Sequence, residues 1–282
     1  MSNLVVRSIT GALFVAVILG SILLDDWYAT AVFAAFMILG LVEFNKLFHS
    51  QRTIEIDWRI GTLGGIVIFT IAVLTLYQVL PIACYTLIVP VILIMMLTEL
   101  WRKKKNPILN STIQIAGIFY IVLPFFLVTE MNFHDHNFND FKPTEGFFMP
   151  KVGGMFLLIW TNDTFAYLTG RLIGRTKLFE RISPKKTWEG TLGGVVMTIF
   201  VGFLIGTYFD TNETLGFWIG AALIIVPCAI LGDLYESLFK RSLKIKDSGS
   251  ILPGHGGILD RFDAVFFSVP FFMAWASIYP YL

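Results

Sequence analysis

Residues 237–263, SLFKRSLKIKDSGSILPGHGGILDRFD, gather charged side chains and glycines between two apolar stretches. Asp260 and Asp263 stand three apart, which puts them on one face if a helix begins there. Gly256 and Gly257 allow the backbone to approach a ligand more closely than other residues do. Carboxylates beside lysines and arginines are typical of a site for metal-bound phosphate. A cytoplasmic loop whose positive charge only sets membrane orientation would look similar.

A second polar group ends the apolar stretch before this segment. Its members follow helical spacing and share one stripe of a helix: Asp233, Glu236, Ser237 and Lys240. Mg²⁺ prefers hard oxygen ligands and takes one or two protein carboxylates, with water and substrate phosphate completing its shell. The sequence therefore predicts Mg²⁺ bound by Asp233 together with Asp260 or Asp263. It contains no His/Cys cluster that would support zinc.

A third group lies in the apolar stretch WTNDTFAYLTGRLIGR, residues 160–175. Asp163, Tyr167 and Arg171 recur every four residues, so they share one helical face. An ionisable group inside a membrane costs roughly 3 kcal/mol or more, so Asp163 is expected to face the protein interior or a wet cavity. A purely structural pairing of Asp163 with Arg171 is the alternative.

The loop that follows contains SPKKTWEG, residues 183–190. Ser183 and Pro184 are expected to start a helix. Lys185, Lys186 and Thr187 would then lie near its positive end, where backbone N–H groups and lysines together bind anions. Membrane topology alone would also explain the two lysines.

Membrane helices are the elements that must position these groups. Of the 282 residues, 56% are hydrophobic and 15% are charged, a balance outside that of soluble domains. Nine stretches are long enough to cross a bilayer. They cover residues 4–24, 27–48, 60–79, 82–100, 108–130, 152–170, 190–209, 215–236 and 264–281. The third and fourth could instead form one broken re-entrant unit. The sequence thus predicts an all-α, polytopic integral membrane protein with about nine transmembrane helices.

Charge placement predicts the orientation of these helices. All but two of the 21 Lys and Arg residues fall in segments that alternate along the chain, and the exceptions are Lys142 and Lys151. The positive-inside rule then puts the N-terminus in the cytoplasm and the C-terminus outside. Loops 171–189 and 237–263 become cytoplasmic. The basic residues form no patch interleaved with aromatic residues, so no nucleic acid partner is expected.

A single membrane domain is expected over residues 1–282. Residues 1–150 would supply the N-terminal helices and an outer loop, and residues 151–282 the catalytic half with its two cytoplasmic loops. The cytoplasmic stretches are too short to build a separate soluble core.

The polar positions SxFKRxxxxKDxGxxLPGHGGxxDRxD, as they stand from Ser237 to Asp263, resemble the hallmark of the phosphatidate cytidylyltransferases, also called CDP-diglyceride synthases. The stretches DTFAYLTGRLIGRTKL and ISPKKTWEG are similar to another characteristic part of that family, so the resemblance covers about residues 155–280. It implies transfer of CMP from CTP to phosphatidic acid at the cytoplasmic side of the cell membrane, giving CDP-diacylglycerol and pyrophosphate. CTP, phosphatidic acid and the bilayer are the partners it implies, and a homodimer remains open.

The resemblance also implies roles for individual residues. The catalytic residues would be Asp233, Asp260, Asp263, Lys246 and Asp247. Mg²⁺ would be bound by Asp233, Asp260 and Asp263, with Glu236 and Asp247 near it or near a second cation. Substrate-binding residues would be Lys185, Lys186, Thr187, Ser237, Lys240, Arg241, His255, Gly256, Gly257 and Arg261, with Asp163 and Arg171 shaping the headgroup cavity. A phosphate monoester is already a nucleophile, so a single in-line displacement is expected.

Two other classes of protein remain open. A CTP-dependent polyisoprenol or lipid kinase has comparable needs, and an ion-coupled secondary transporter could use Asp163 and Asp233 as ion sites. A transporter should place its site near mid-bilayer, in the broken helices of paired halves. This sequence gathers its charge at one face instead, which favours an enzyme.

Overall fold

The computed structural model describes residues 3–49, 54–137, 149–209, 213–249, 251 and 256–282, with the backbone alone for residues 3–8 and 49. Within these ranges the chain forms ten α-helices. They are α1 (Asn3–Leu24), α2 (Asp26–His49), α3 (Trp58–Leu76), α4 (Ile88–Arg102), α5 (Pro107–Gly117), α6 (Leu123–Asn137), α7 (Lys151–Ile173), α8 (Trp188–Tyr208), α9 (Leu215–Ser242) and α10 (Leu259–Ile278). A 3₁₀ turn, Ile82–Leu87, leads into α4, a π-helical turn, Ile118–Val122, joins α5 to α6, and a second 3₁₀ turn, Tyr279–Tyr281, follows α10.

Seven helical segments of the described chain are long and apolar enough to cross a membrane. They are Asp26–Phe48, Trp58–Leu76, Ile82–Arg102, Pro107–Asn137, Trp188–Tyr208, Leu215–Ser242 and Leu259–Tyr281. Helix α1 adds a shorter apolar stretch, Ile9–Leu24. The prediction of an all-α, multi-pass membrane protein is confirmed, whereas the count of nine spans and the orientation of the termini stay predictions.

The chain divides into two compact units. The first consists of Met1–Ser21, Trp27–Glu130 and Asp247–Arg261. Its core contains fully buried aromatic and aliphatic side chains, among them Phe33 of α2 and Phe125 of α6, whose ring centroids are 6.3 Å apart. Residues 247–249, 251 and 256–261 therefore fold with the N-terminal helices.

Polar contacts join two interhelical loops of this first unit. The Glu55 carboxylate accepts a hydrogen bond from the backbone N–H of Lys105 (3.2 Å) and lies 3.4 Å from the Lys104 ammonium. The Lys105 N–H and then the Lys104 charge lower the pKa of the Glu55 carboxyl. Asn110 accepts from the Glu55 N–H and donates to the buried Glu99 carboxylate. The loops before α3 and after α4, both predicted to be cytoplasmic, thus meet.

The second unit consists of Ile22–Asp26, Met131–Lys246 and Phe262–Leu282. Its helices α7 and α8 approach closely because glycines line their contact. A Cβ atom at Gly190 would lie 2.6 Å from the Ala166 carbonyl oxygen, and one at Gly194 would lie 2.8 Å from Asn162 Oδ1. Such distances leave no room for a larger residue.

A short β-hairpin, which the sequence did not lead us to expect, precedes α8. Strand β1 (Lys177–Phe179) pairs antiparallel with strand β2 (Ser183–Thr187). Helix α8 begins only at Trp188, where the Thr187 hydroxyl caps the helix by accepting from the Gly190 N–H at 3.2 Å.

The prediction that a helix starts at residues 183–184 is therefore wrong. Residues 183–187 stay extended because they pair with β1, where Ser183 lies opposite Phe179 and Thr187 lies opposite Lys177. The Glu189 carboxylate accepts from the backbone N–H groups of Arg175 and Thr176 at 3.1 and 3.2 Å. Lys185 and Lys186 consequently lie on strand β2 and not in the first turn of a helix.

Candidate active site

A group of carboxylates comes together in the second unit, where α7, α9 and α10 contribute side chains. The Asp263 carboxylate of α10 interacts electrostatically with Glu236 and Asp233 of α9 and with Asp163 of α7. Gly232 lets α9 come close to α10, because a Cβ there would lie 2.6 Å from the Asp263 carbonyl oxygen. Residues distant in the sequence are thus assembled by a close contact between two helices.

Lysines from two different elements reach this carboxylate group. Lys186 Nζ lies 2.5 Å from Asp233 Oδ2, and both side chains are partly exposed, at 26% and 32%. The Ser237 hydroxyl donates to the other Asp233 oxygen at 3.3 Å. Lys240 Nζ lies 3.4 Å from Glu236 Oε1, and both of these side chains are buried. Lys186, Asp233 and Ser237, three of the predicted site residues, are thus in contact, and their roles stay predictions.

Carboxylates outnumber ammonium groups among the side chains named here. Its carboxylates are Asp163, Asp233, Glu236 and Asp263, and its ammonium groups are Lys186 and Lys240. Carboxylate oxygens are hard ligands of the kind that Mg²⁺ prefers. In the described ranges no three His, Cys, Asp or Glu side chains form a ready-made metal site. A Mg²⁺ ion bound by one or two carboxylates and by substrate phosphate fits this arrangement.

The polar face of α7 forms as its spacing predicts. Asp163, Tyr167 and Arg171 lie on this helix and are exposed. Arg171 Nη1 donates to the Tyr167 hydroxyl at 3.3 Å, and Asn162 Nδ2 donates to Asp163 Oδ1 at 3.5 Å. The face thus presents a carboxylate and a guanidinium to the surroundings of α7.

The other predicted catalytic and substrate-binding residues are found in different settings. Thr187 is buried, and its hydroxyl caps α8. Arg241 Nη1 donates to the Ile245 carbonyl at 3.0 Å, which fixes the turn after α9. The side chains exposed to the surroundings are Lys185, Lys246, Asp247 and Arg261. Their contacts with substrate stay predictions.

In the first unit, Asp260 organises the backbone of its own segment. Helix α10 begins at Leu259, five residues before the predicted span 264–281, so Asp260 and Asp263 both lie on it. Asp260 Oδ2 accepts from the N–H groups of Ser248 and Gly257 at 3.0 and 2.9 Å. Gly256 has a φ of 84° and would place a Cβ 2.5 Å from the same oxygen. His255 lies outside the described residues, and a metal-binding role for Asp260 stays a prediction.

Glu43 is a carboxylate that the motif-based reasoning missed. It lies on α2 in the first unit and is 6% exposed. Its two oxygens accept from the Ser248 hydroxyl, from the Ile258 N–H at 2.9 Å and from the Leu259 N–H at 3.2 Å. The available signal was a lone acidic residue inside an apolar helix, which usually has a function.

Comparison with known proteins identifies the family that this chain resembles. The sequence model of the cytidylyltransferase family matches residues 5–279. The phosphatidate cytidylyltransferase of Haemophilus influenzae is 36% identical over 173 residues, which are 60% of this chain and 57% of that protein. The phosphatidate cytidylyltransferase of Staphylococcus aureus strain COL is 48% identical over 115 residues, 41% of this chain and 44% of that protein. The chain thus spans about half the length of these relatives.

Proposed function

Since this chain belongs to the cytidylyltransferase family, we propose that it transfers the cytidylyl group of CTP to phosphatidic acid. The observation that carries this proposal is the contact of Lys186 with Asp233 beside Asp263. It combines a phosphate-binding cation with hard oxygen ligands for a metal, in a family whose named relatives act on phosphatidate. CTP, phosphatidic acid and the bilayer are the proposed partners.

The side chains have to overcome the repulsion between two polyanionic substrates. We assign Lys186 to a phosphate of CTP, because its ammonium group can exchange the Asp233 carboxylate for phosphate oxygens. Asp233 and Asp263 would hold Mg²⁺, and Glu236 lies where it can help to neutralise that charge. When bound, Mg²⁺ supplies positive charge to the triphosphate and to the leaving pyrophosphate. We also propose a catalytic role for Asp260, as the motif predicts.

The reaction needs no covalent intermediate with the protein. An oxygen of the lipid phosphate forms a bond to the α-phosphorus of CTP, while the bond from that phosphorus to the bridging oxygen of the β-phosphate breaks. Pyrophosphate leaves with the electron pair, and CDP-diacylglycerol remains. Lys186 and Lys240 can balance the negative charge on both sides of this displacement without giving up protons.

We propose further that nine helices cross the membrane with the N-terminus in the cytoplasm. Helices α1 and α7 would join the seven apolar segments described above. The distribution of Lys and Arg supports this orientation, because all but Lys142 and Lys151 of the 21 then lie inside. The active site would face the cytoplasm, where CTP is available.

Isotope transfer tests the proposed reaction. Purified protein in detergent with phosphatidic acid and Mg²⁺ should transfer label from [α-³²P]CTP into lipid, and label from [γ-³²P]CTP should leave as pyrophosphate. Asp233→Asn is the matched inactive control. Entry of γ label into lipid would instead identify a kinase. Absence of any phosphatidate-dependent pyrophosphate release would refute both enzyme assignments and return the transporter to consideration.

A further inference from the structure

The two ends of one segment are joined by the buried carboxylate of Glu43. At one end Ser248 donates its hydroxyl to Glu43 Oε1. At the other end Ile258 and Leu259 donate their backbone N–H groups to Oε2 and Oε1 at 2.9 and 3.2 Å. Both ends also bind Asp260 through the N–H groups of Ser248 and Gly257. Glu43 therefore holds the same stretch of backbone that Asp260 holds.

Two glycines of this segment leave the space that the Glu43 carboxylate occupies. A Cβ at Gly257 would lie 2.0 Å from Glu43 Oε1, and one at Gly249 would lie 2.7 Å from Oε2. Neither position tolerates a side chain unless Glu43 moves. We expected Gly257 to permit close approach of a ligand, and in the structure it permits close approach of the Glu43 carboxylate of α2.

The hydrogen bonds explain why a carboxylate is required at residue 43. The Ile258 and Leu259 N–H groups belong to the start of α10, where the N–H groups have no partner within the helix. A carboxylate accepts at both oxygens and also complements the positive end of the helix dipole. A glutamine could accept hydrogen bonds only at its amide oxygen, because its NH₂ group would face the backbone N–H group of Ile258 or of Leu259.

We propose that Glu43 is a positioning residue for the Asp260 carboxylate. By fixing Ser248, Ile258 and Leu259, it orients the first turn of α10 and with it the Asp260 carboxylate. The inference rests on the proposed cytidylyl transfer, because Asp260 acquires its role from that function. Loss of Glu43 should weaken the use of CTP and Mg²⁺ in protein that is still folded.

Glu99 provides the matched control. It is another buried carboxylate in an apolar helix of the first unit, where it is paired with Arg102 and hydrogen-bonded to Asn110. Glu99→Gln should lower thermal stability while leaving the KM for CTP and the half-saturating Mg²⁺ concentration unchanged. Glu43→Gln should raise both values at least about fivefold. Ser248→Ala, which removes one donor and keeps the backbone contacts, should have a smaller effect in the same direction.

A conservative pair of substitutions tests the contact itself. Gly257→Ala should reproduce the kinetic defect of Glu43→Gln, because the new methyl group displaces the carboxylate. Glu43→Asp withdraws the carboxylate by one methylene and makes room for that methyl. The double variant should therefore be no worse than the poorer single variant. Multiplied defects would overturn the proposed contact.

Hydrogen exchange provides a readout that does not depend on activity. In Glu43→Gln, at least one of the amides of Ile258 and Leu259 should exchange faster than in the wild type, and Glu99→Gln should leave both unchanged. If exchange is faster in Glu43→Gln but even the wild type transfers no cytidylyl group, the proposed function is refuted and the contact of Glu43 is retained. Unaltered exchange, or a loss of Vmax that follows the folded fraction with unchanged KM, would overturn the positioning role.

Discussion

Replacement of Lys186 by alanine removes the cation that we assign to CTP. Lys186 Nζ lies 2.5 Å from Asp233 Oδ2, and two unit charges at this distance attract by about 7 kcal/mol at an effective permittivity of about 20. Both side chains are partly exposed, at 26% and 32%. Solvent screening and desolvation therefore leave a net value of about 2 kcal/mol, typical of a hydrogen bond between charged groups.

When CTP binds, phosphate oxygens replace the Asp233 carboxylate as the partner of Lys186. An interaction of about 2 kcal/mol then corresponds to a loss of about 30-fold in kcat/KM for CTP. The assay is phosphatidate-dependent pyrophosphate release in detergent, at matched amounts of folded protein. Lys177→Ala is the control, since Lys177 is an exposed lysine of the same hairpin. It should change kcat/KM by less than about threefold.

A double-mutant cycle separates catalysis from stability. If Lys186 and Asp233 serve the same phosphate and metal, Lys186→Ala should have little further effect in an Asp233→Asn background. Equal, small effects of Lys186→Ala and Lys177→Ala would refute the reasoning and leave both lysines as determinants of membrane orientation only.

Three further predictions follow from the site and the helices. Asp263→Asn should reduce turnover at least about a hundredfold while the protein stays folded, and excess Mg²⁺ should restore little of it. Chelation of Mg²⁺ should abolish the activity of the wild type reversibly. Near-normal turnover of Asp263→Asn would assign Asp263 a structural role. Gly232→Ala should lower the thermal stability by about 1–3 kcal/mol and reduce activity, because the added methyl group separates α9 from α10. Gly20→Ala should change neither, since a Cβ at Gly20 would have no atom within 4 Å. Equal melting temperatures of the two variants would contradict the close contact at Gly232. A reporter fused after Leu282 should lie outside and one at Lys104 inside, and the opposite result would remove the cytoplasmic active face.

The local properties of this chain were accessible from its sequence. Apolar stretches of sufficient length identify membrane helices because each residue in such a stretch must be soluble in lipid whatever its neighbours are. The polar face of α7 follows from spacing along one element. The association of Asp233 with Ser237 is also local, since the two lie one helical turn apart.

The start of α8 shows where local reasoning was insufficient. Ser183 and Pro184 are compatible with a helix start, but pairing with β1 keeps their strand extended. Pairing between strands depends on a partner elsewhere in the chain, which propensity does not describe. Lys186 reaches Asp233 from this strand.

Of the residues discussed, Glu43 is the one whose contacts depend most strongly on tertiary structure. It is 205 residues from Ser248 in the sequence, and only the folded first unit brings its oxygens to the start of α10. The sequence by itself determined the membrane helices and the residue types that could do the chemistry, because hydrophobicity and helical spacing act within one element. Tertiary structure decided which carboxylates meet lysines and which meet backbone N–H groups. A buried charge requires partners, and the packing of distant helices decides which partners it receives.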